Sequence, residues 1–347
     1  MMEDLLKKLS DMRGISGYEY RISDEISELF KPYCDDVYTD TLGNVIAIKK
    51  CGIENAPQVM IEAHMDEIGL MVRDIDENGF ISFVNIGGVD FRILPSMEVI
   101  VHAKEDILGV VGAMPPHLMS VADEKKAIKS DDMYIDVGMS GDEVRKIVSI
   151  GDAITLKSEA VKLQGGSFSA KSMDDRASVA ALIKTLELLE RVKLRADVIA
   201  VAAVCEEVGG RGAAVCGYSL APDIAIAIDV THGITPDNSK NAFELGSGAV
   251  ISKGPNIHPA LSERLIKTAK NANIKHSIEI DGGDTGTDAW LLQVAGGGIP
   301  TALLSIPLRY MHTSVETLCI SDVKAVYELL AHFISGIDDS LEGWLCI

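Results

Sequence analysis

Residues 196–207 read ADVIAVAAVCEE, a continuous apolar run of strand length that ends in two adjacent glutamates. Two further runs of this kind follow, DIAIAIDV at 223–230 and IPTALLSIP at 299–307. Strands that are apolar on both faces are typical of a sheet covered by helices on each side. The amphipathic stretches 175–191 and 262–273 supply such helices along the chain. The pattern therefore predicts a layered α/β fold.

The segments before and after residues 67–160 share this pattern, but that region itself differs. An amphipathic N-terminal helix, a second helix over 19–30 and the strand-like stretches 44–50 and 58–64 precede it. Within it, short β-like pieces alternate with Gly, Pro and charged turns, without a long helical pattern. The stretch 121–132 is interpreted as an exposed charged loop. Because α/β alternation occurs on both sides, we expect a small all-β unit inserted into one α/β domain.

The composition excludes several classes of protein. The 347 residues include 52 acidic and 32 basic side chains, a formal net charge of −20. Such a surface repels nucleic acid and anionic lipid, so we expect neither as a partner. The longest apolar runs fall short of the roughly 18–20 residues that span a bilayer. Scattered cysteines and a charged, amphipathic N-terminus indicate reduced thiols, no signal peptide and a cytoplasmic location.

Titratable side chains stand at the carboxyl ends of the predicted strands and before the helix at 175–191. They are His64, Asp66, Asp174, Asp175, Glu206, Glu207, Asp229, His232 and His312. Ligand sites of open α/β sheets form at this edge. Each residue alone has an ordinary structural explanation, such as a helix N-cap for Asp174 or Asp175. Together, two imidazoles and at least three carboxylates match the ligands of a dinuclear Zn, Co or Mn site, which predicts a two-metal hydrolase.

Six motifs in sequence carry a family resemblance. They are AHMDEIG (63–69), KSMDDR (171–176), EEVGGRGA (206–213), DVTHG (229–233), TGTDAW (285–290) and IPLRYMHTSVE (306–316). In this order and spacing the chain resembles the TET-type dinuclear metallo-aminopeptidases, which include glutamyl aminopeptidases and proteins sometimes labelled endoglucanases. The resemblance extends to about residue 330. One departure is Cys205, which stands where a polar residue is expected.

The resemblance implies a domain organisation and an assembly. Residues 1–66 and 162–347 would form a zinc-exopeptidase-like catalytic domain, an α/β fold with a central mixed sheet flanked by helices. Residues 67–161 would form an inserted, β-barrel-like dimerisation domain. A homo-oligomer is then expected, with dimers assembling into a dodecamer that has inward-facing active sites.

The resemblance also implies a ligand set for two divalent metal ions, with Zn or Co preferred and Mn as a further option. One metal would be held by His64, Asp174 and Asp229. The other would be held by Asp174, Glu207 and His312, so that Asp174 bridges the two. A carboxylate suits this role, because its two oxygens can span ions about 3.5–4 Å apart.

Two further residues receive catalytic roles from the resemblance. Glu206 would act as the general base, held beside the attacking water because its neighbour is a ligand. Asp66 would accept the second N–H of the His64 imidazole and fix its tautomer. The expected reaction is hydrolysis of the first peptide bond of a short peptide, which makes the chain an aminopeptidase.

Three alternatives remain open from the sequence. The first is an endoglucanase-type glycosidase, although aromatic residues make up only 5% of the chain and would have to supply a sugar platform. The second is a dinuclear-metal deacylase or carboxypeptidase that acts on N-acyl substrates. The third is a metal-stabilised assembly protein without enzymatic activity, which would bind metal without turning over any peptide.

Overall fold

A computed structural model of the chain describes residues 1–115, 128–338 and 341–345. It confirms the predicted α/β class, with a large mixed sheet between helices and a separate small barrel. Residues 121–127 of the charged loop predicted over 121–132 lie outside the described residues. Among the described residues, no helix has both the length and the apolar character that crossing a membrane requires.

The strands occur in chain order. They are β1 Asp36–Thr39, β2 Val45–Lys49, β3 Gln58–His64, β4 Gly69–Ile75, β5 Ile81–Ile86, β6 Glu98–His102, β7 Asp106–Ala113, β8 Met133–Asp136, β9 Ala153–Leu156, β10 Val161–Lys162, β11 Ser167–Ala170, β12 Asp197–Ala203, β13 Ile224–His232, β14 Ala249–Lys253, β15 His276–Ile280, β16 Thr301–Arg309 and β17 Glu316–Cys319. Each apolar run singled out in the sequence falls on one of these strands.

Most of the helices form two layers on the large sheet, whereas α3 packs against the barrel. They are α1 Met2–Asp11, α2 Ser23–Phe30, α3 Gly141–Ile147, α4 Met173–Leu189, α5 Arg211–Leu220, α6 Pro259–Asn271, α7 Ala289–Val294, α8 Ile320–Ser335 and α9 Leu341–Trp344. Helices α1, α2, α4, α6 and α8 contribute to the core on one face of the sheet. Helices α5 and α7 contribute to the core on the other face.

The described residues form one sheet of 11 strands in the order β1-β2-β12-β3-β13-β16-β17-β11-β10, with β14 paired to β16 and β15. The four central strands β12, β3, β13 and β16 are parallel. Their register places His64 beside Ala203 and Asp229 beside Ser305. The carboxyl ends of the four strands therefore meet at one edge of the sheet.

Burial on both faces explains why the central strands are apolar throughout. Successive side chains of a strand point to opposite faces. In β3, Val59 and Ile61 join the core under α1 and α4, whereas Met60 joins the core under α5 and α7. Glu62 and His64 lie on the same face as Met60, and both are buried.

The segment predicted as one helix over 19–30 is divided. Glu19–Arg21 form a 3-10 turn, and α2 begins only at Ser23 because Ile22 leaves the helical region, with φ −124° and ψ −12°. The carboxylate of Glu19 is buried and accepts the backbone N–H of Cys205 at 2.9 Å. This contact ties the start of the segment to the strand-end loop that carries Glu206.

Strands β4 to β9 close into a barrel in the order β4-β5-β8-β7-β6-β9. Its interior is apolar and forms a core separate from those of the large sheet. The sequence interpretation missed α3, which begins with a capping box: the Ser140 backbone N–H donates to Glu143 Oε2 at 3.0 Å. Arg13 pairs with Asp106 at 2.8 Å, so the N-terminal segment contacts the barrel directly.

Candidate metal and catalytic site

A cleft of about 510 Å³ opens at the edge where the four parallel strands end. Carboxylates dominate its polar lining. They are Asp174, Glu206, Glu207, Asp229, Glu279 and Asp281. His312 also lines the cleft, and the exposed His232 lies at its surface. The structure therefore brings together the strand-end residues that the sequence singled out.

Asp174 lies between two imidazoles. Its Oδ1 is 3.2 Å from Nε2 of His64, and its Oδ2 is 3.3 Å from Nε2 of His312. The second imidazole is also 3.3 Å from Oε1 of Glu207. Asp174 stands at the start of α4 with φ −79° and ψ 100°, outside the helical region, so its carboxylate projects into the cleft. Each oxygen of this carboxylate thus faces a different set of ligand atoms.

Asp229 completes the group on the other side of His64. One ligand atom each from His64, Asp175 and Asp229 lie within 4.8 Å of one another, and the same holds for His64, Asp174 and Glu207. Asp229 is the sixth residue of β13 and is only 6% exposed. His64 therefore belongs to both groups, and Asp175, not the predicted Asp174, stands with Asp229 in the first.

Glu206 is next to this group. Its Oε2 is 3.9 Å from Nε2 of His64, and burial raises the pKa of the Glu206 carboxyl to about 8 although the nearby imidazole acts in the opposite direction. The backbone N–H groups of Glu206 and Glu207 donate to Oδ1 and Oδ2 of Asp66, at 3.1 and 3.2 Å. Asp66 thereby fixes the turn that presents both glutamates to the cleft.

Asp66 is fully buried and has a further donor in Ser16, whose hydroxyl contacts Oδ2 at 2.6 Å. Its Oδ1 is 3.5 Å from Nδ1 of His64, so the two groups are neighbours, but Nδ1 has no hydrogen-bond partner among the described residues and the predicted hydrogen bond is not formed. Burial alone would raise the pKa of Asp66, but the nearby His64 and the hydrogen-bond donors lower it below its usual value. The prediction included the imidazole and missed the two backbone donors.

Glu316 is a site residue that sequence reasoning missed. One of its oxygens accepts the backbone N–H of Asp174 at 3.0 Å, and the other accepts that of His312 at 2.8 Å. His312 has a φ of 61°, in the left-handed region, so its position depends on such a restraint. Glu316 is the last residue of the motif IPLRYMHTSVE, four residues after His312. This position in a site motif could have identified Glu316 as a site residue from the sequence.

Three more buried carboxyls lie behind the cleft; only Asp175 among them was singled out from the sequence, and the other two were missed. They belong to Glu62, Asp175 and Asp288, and their oxygens have no hydrogen-bond partner among the described residues. Burial raises the pKa of all three, to about 8 for Glu62. Glu62 could have been noticed as a charged residue inside the apolar run of β3.

The barrel contributes to the wall of the site through Gly87 and Gly88. A Cβ atom on Gly88 would lie 2.6 Å from Nδ1 of His312, and one on Gly87 would lie 3.2 Å from Oε2 of Glu207. Both distances are shorter than ordinary contacts. The two glycines therefore let the backbone of the inserted segment approach two predicted ligands.

The residues present fit a pair of divalent cations. Imidazole nitrogens and carboxylate oxygens are the donors that Zn, Co and Mn accept. Hydrogen bonds to Asp174 and Glu207 raise the pKa of His312 to about 11, which shows that this position favours positive charge. Burial raises the pKa of Asp229 and of Glu207, a cost that a cation beside them offsets.

The parallel strands, the small barrel and the histidine–carboxylate cleft describe an α/β protein with a candidate metal site at the carboxyl edge of its sheet. The chain belongs to the M42 glutamyl aminopeptidase family, whose model matches residues 43–329. It is 39% identical over 332 residues to a lysyl aminopeptidase of Pyrococcus furiosus, covering 94% of each chain. Family membership supports aminopeptidase activity, a hydrolase function.

Solved structures with the same fold confirm the resemblance to TET peptidases. A TET aminopeptidase from a marine sediment archaeon, Thaumarchaeota archaeon SCGC AB-539-E09, has a TM-score of 0.92 at 29% identity, covering 99% of this chain and 98% of that one. The Pyrococcus horikoshii TET1 peptidase is described as assembling into a tetrahedron or a large octahedral shell. Its TM-score is 0.86 at 33% identity, and the match covers 97% of this chain and 100% of that one. A Thermotoga maritima protein described as an endoglucanase has a TM-score of 0.78 at 31% identity, and the match covers 98% of this chain and 97% of that one.

Proposed function

We propose that the chain is an aminopeptidase that removes the N-terminal residue of short peptides with the help of two divalent metal ions, in the cytoplasm. The observation that carries this proposal is the meeting of His64, Asp174 and His312 with Glu207 and Asp229 at one sheet edge. Membership of an aminopeptidase family agrees with it.

The ligands divide into two sets that share Asp174. His64 and Asp229 would hold one ion, and Glu207 and His312 the other; Zn or Co is preferred, with Mn as the third option. Two cations bound there would polarise the scissile carbonyl and lower the pKa of the attacking water. Glu316 and Asp66 hold the backbone of these ligands, so the chain itself sets their geometry.

Glu206 moves the protons of the reaction. As general base it takes a proton from the attacking water and then delivers it to the leaving amine. A group that must do both needs a pKa near the working pH, and burial raises the pKa of Glu206 to about 8. Asp66 acts through the N–H of Glu206 and is therefore a positioning residue.

The direct test compares two neighbouring variants, Glu206→Gln and Glu207→Gln, in metal-replete protein. We expect Glu206→Gln to retain two metal ions per chain and to lose turnover by more than about 100-fold, the range for a general base. Glu207→Gln should lose metal content. Metal would be measured by mass spectrometry and activity on aminoacyl-p-nitroanilides. Turnover of Glu206→Gln within a few fold of wild type would overturn the role of this residue.

The endoglucanase title of one structural neighbour makes a glycosidase the second candidate. Sugar sites commonly present an aromatic platform, and among the described residues that line the cleft none is Phe, Tyr or Trp. Cellulose cleavage that resists a chelator would favour the glycosidase, and turnover of N-acyl amino acids instead of aminoacyl-p-nitroanilides would favour a deacylase or carboxypeptidase. Metal binding without turnover on any substrate would leave an assembly protein.

We further propose that residues 67–161 form a dimerisation domain and that dimers assemble into a dodecamer, as the known assemblies of structural neighbours indicate for those proteins. Residues 1–66 and 162–347 would then form the catalytic domain. Sedimentation of metal-replete protein tests the assembly, and a monomer under those conditions would refute it.

A further inference from the structure

Three charged side chains are buried behind the segments that carry the predicted ligands. They are Glu67, Lys171 and Arg176, which are 3%, 6% and 0% exposed. An ion pair at this depth adds little to stability, because the loss of hydration offsets the attraction between the charges. None of the three takes part in the proposed reaction, so their position in the fold needs a different explanation.

The buried ionic cluster of Glu67, Lys171 and Arg176 joins two ligand segments. Glu67 follows His64 by three residues, and Lys171 and Arg176 lie on either side of Asp174. Nζ of Lys171 donates to Oε2 of Glu67 at 2.6 Å, and Nη2 of Arg176 is 3.8 Å from Oε1. His64 and Asp174 are 110 positions apart in sequence, and Nε2 of the first lies 3.2 Å from Oδ1 of the second. The cluster therefore connects the two pieces of chain on which this contact depends.

Arg176 also fixes the backbone next to His64. Its Nε donates to the carbonyl of Met65 at 2.5 Å, and Met65 stands between His64 and Asp66. Its Nη1 donates to the carbonyl of Leu9 at 2.7 Å. A guanidinium presents its donors in a rigid planar fork, so the two carbonyls are held at a set distance from each other. The residue after β3 is thus tied to α1.

The N-terminal segment completes the buried ionic cluster. Nζ of Lys171 donates to the carbonyl of Met12 at 3.1 Å, and the backbone N–H of Gly14 donates to Oε1 of Glu67 at 3.1 Å. The backbone N–H of Glu67 donates in turn to the carbonyl of Gly14 at 3.1 Å. The charged ends of the cluster therefore contact backbone groups whose positions the fold fixes.

We propose that Glu67, Lys171 and Arg176 are positioning residues, which set the distance and orientation of His64 relative to Asp174 for metal binding. This inference rests on the proposed two-metal function and adds to it the residues that preorganise the site. Metal–ligand distances must hold to within about 0.2 Å, so a small shift of either segment weakens the site. The cluster acts on the chain at both sides of Asp174 and directly after His64.

The first experiment uses Co²⁺ as the probe and compares wild type with two cluster variants. Glu67→Gln/Lys171→Met removes one charge of each sign, so the net charge of the cluster is unchanged while the ion pair between the segments is lost. Arg176→Lys keeps the cation and loses the planar fork that holds the carbonyls of Met65 and Leu9. We expect both variants to bind Co²⁺ about 10–100-fold more weakly, the effect of groups that orient ligands. The visible absorption of the bound Co²⁺ should also shift, because it reports the coordination geometry.

Asp322→Asn is the matched control, since it changes a buried carboxylate that serves a different part of the fold. The oxygens of Asp322 accept the backbone N–H groups of Gly246 and Gly248 at 2.7 and 2.8 Å. This variant should lower the Tm of the metal-free protein. It should change the Co²⁺ affinity by less than about twofold and leave the spectrum unchanged, as expected for independent sites.

The outcomes separate this inference from the proposed function. Wild-type protein that binds no Co²⁺ would refute the two-metal function itself, and the inference with it. Cluster variants that lose Tm as Asp322→Asn does, but bind Co²⁺ with wild-type affinity and spectrum, would overturn only the positioning role. Failure of both cluster variants to fold without metal would do the same, because it would assign the cluster to the fold.

Discussion

Replacement of Asp66 by Asn tests how much of the site depends on one buried carboxylate. Oδ1 accepts the N–H of Glu206 and lies near His64, while Oδ2 accepts the N–H of Glu207 and the hydroxyl of Ser16. An Asn side chain keeps one acceptor oxygen. In either orientation its NH₂ group faces one of the two backbone N–H groups, which is left buried and unpaired.

The expected magnitude follows from these contacts. An unpaired buried N–H costs about 1–3 kcal/mol, and hydrogen bonds to a charged acceptor contribute about 1.5–3 kcal/mol each. We therefore expect Asp66→Asn to lower the free energy of unfolding by roughly 2–4 kcal/mol. Because the lost contacts orient His64 and Glu207, metal affinity should fall by about 10–100-fold, as for other groups that orient ligands.

The assay is a competition titration of the metal against a chelating dye, combined with thermal unfolding of the metal-free protein. Ser16→Ala is the control, since it removes the hydroxyl donor and leaves both backbone donors paired. It should lower the free energy of unfolding by about 1.5–3 kcal/mol and change metal affinity by less than about threefold. If Asp66→Asn binds metal within twofold of wild type, the view that Asp66 positions the ligands is wrong.

Three further predictions concern other parts of the structure. Gly88→Ala should displace the His312 ring and weaken metal binding, whereas Gly283→Ala, where an added Cβ meets nothing within 4 Å, should not; equal affinities would contradict this. Burial lowers the pKa of His102 despite the adjacent Asp106, so the unfolded chain binds this proton at higher pH and stability falls as the pH drops below about 6.5. The difference in Tm between wild type and His102→Gln should therefore shift in favour of the variant between pH 7.5 and 5.5, and a shift the other way would refute the sign. Chelation should abolish turnover and lower Tm, and re-addition of metal should restore both; full activity in chelator would exclude metal dependence.

The sheet and the residues at its edge were predictable because both follow from local patterns. Apolar runs on both faces identify β12, β13 and β16, and parallel strands bring their ends together, so Glu207 and Asp229 could be assigned to one edge. The motifs in register then supported the same residues through resemblance. Even α3 had a readable signal, the capping box from Ser140 to Glu143.

The contacts between distant segments could not be predicted in this way. Glu316 reaches the backbone of Asp174 across 142 positions of sequence, and no periodicity encodes that hydrogen bond. Glu19 likewise accepts the backbone N–H of Cys205, which is 186 positions away. The spacing of apolar residues predicts which face of a strand or helix a side chain lies on. Its hydrogen-bond partner in a distant segment depends on the tertiary structure.

Because Gly87 and Gly88 approach the predicted ligands so closely, the barrel cannot be removed or exchanged without affecting the site. The inserted barrel is not a detachable accessory, because its loop forms part of the pocket that holds Glu207 and His312. Excising residues 67–161 would open that pocket to water, and a swap with a foreign barrel would have to reproduce two adjacent residues without side chains. Changes that reshape the barrel are therefore expected to alter the geometry around Glu207 and His312 as well.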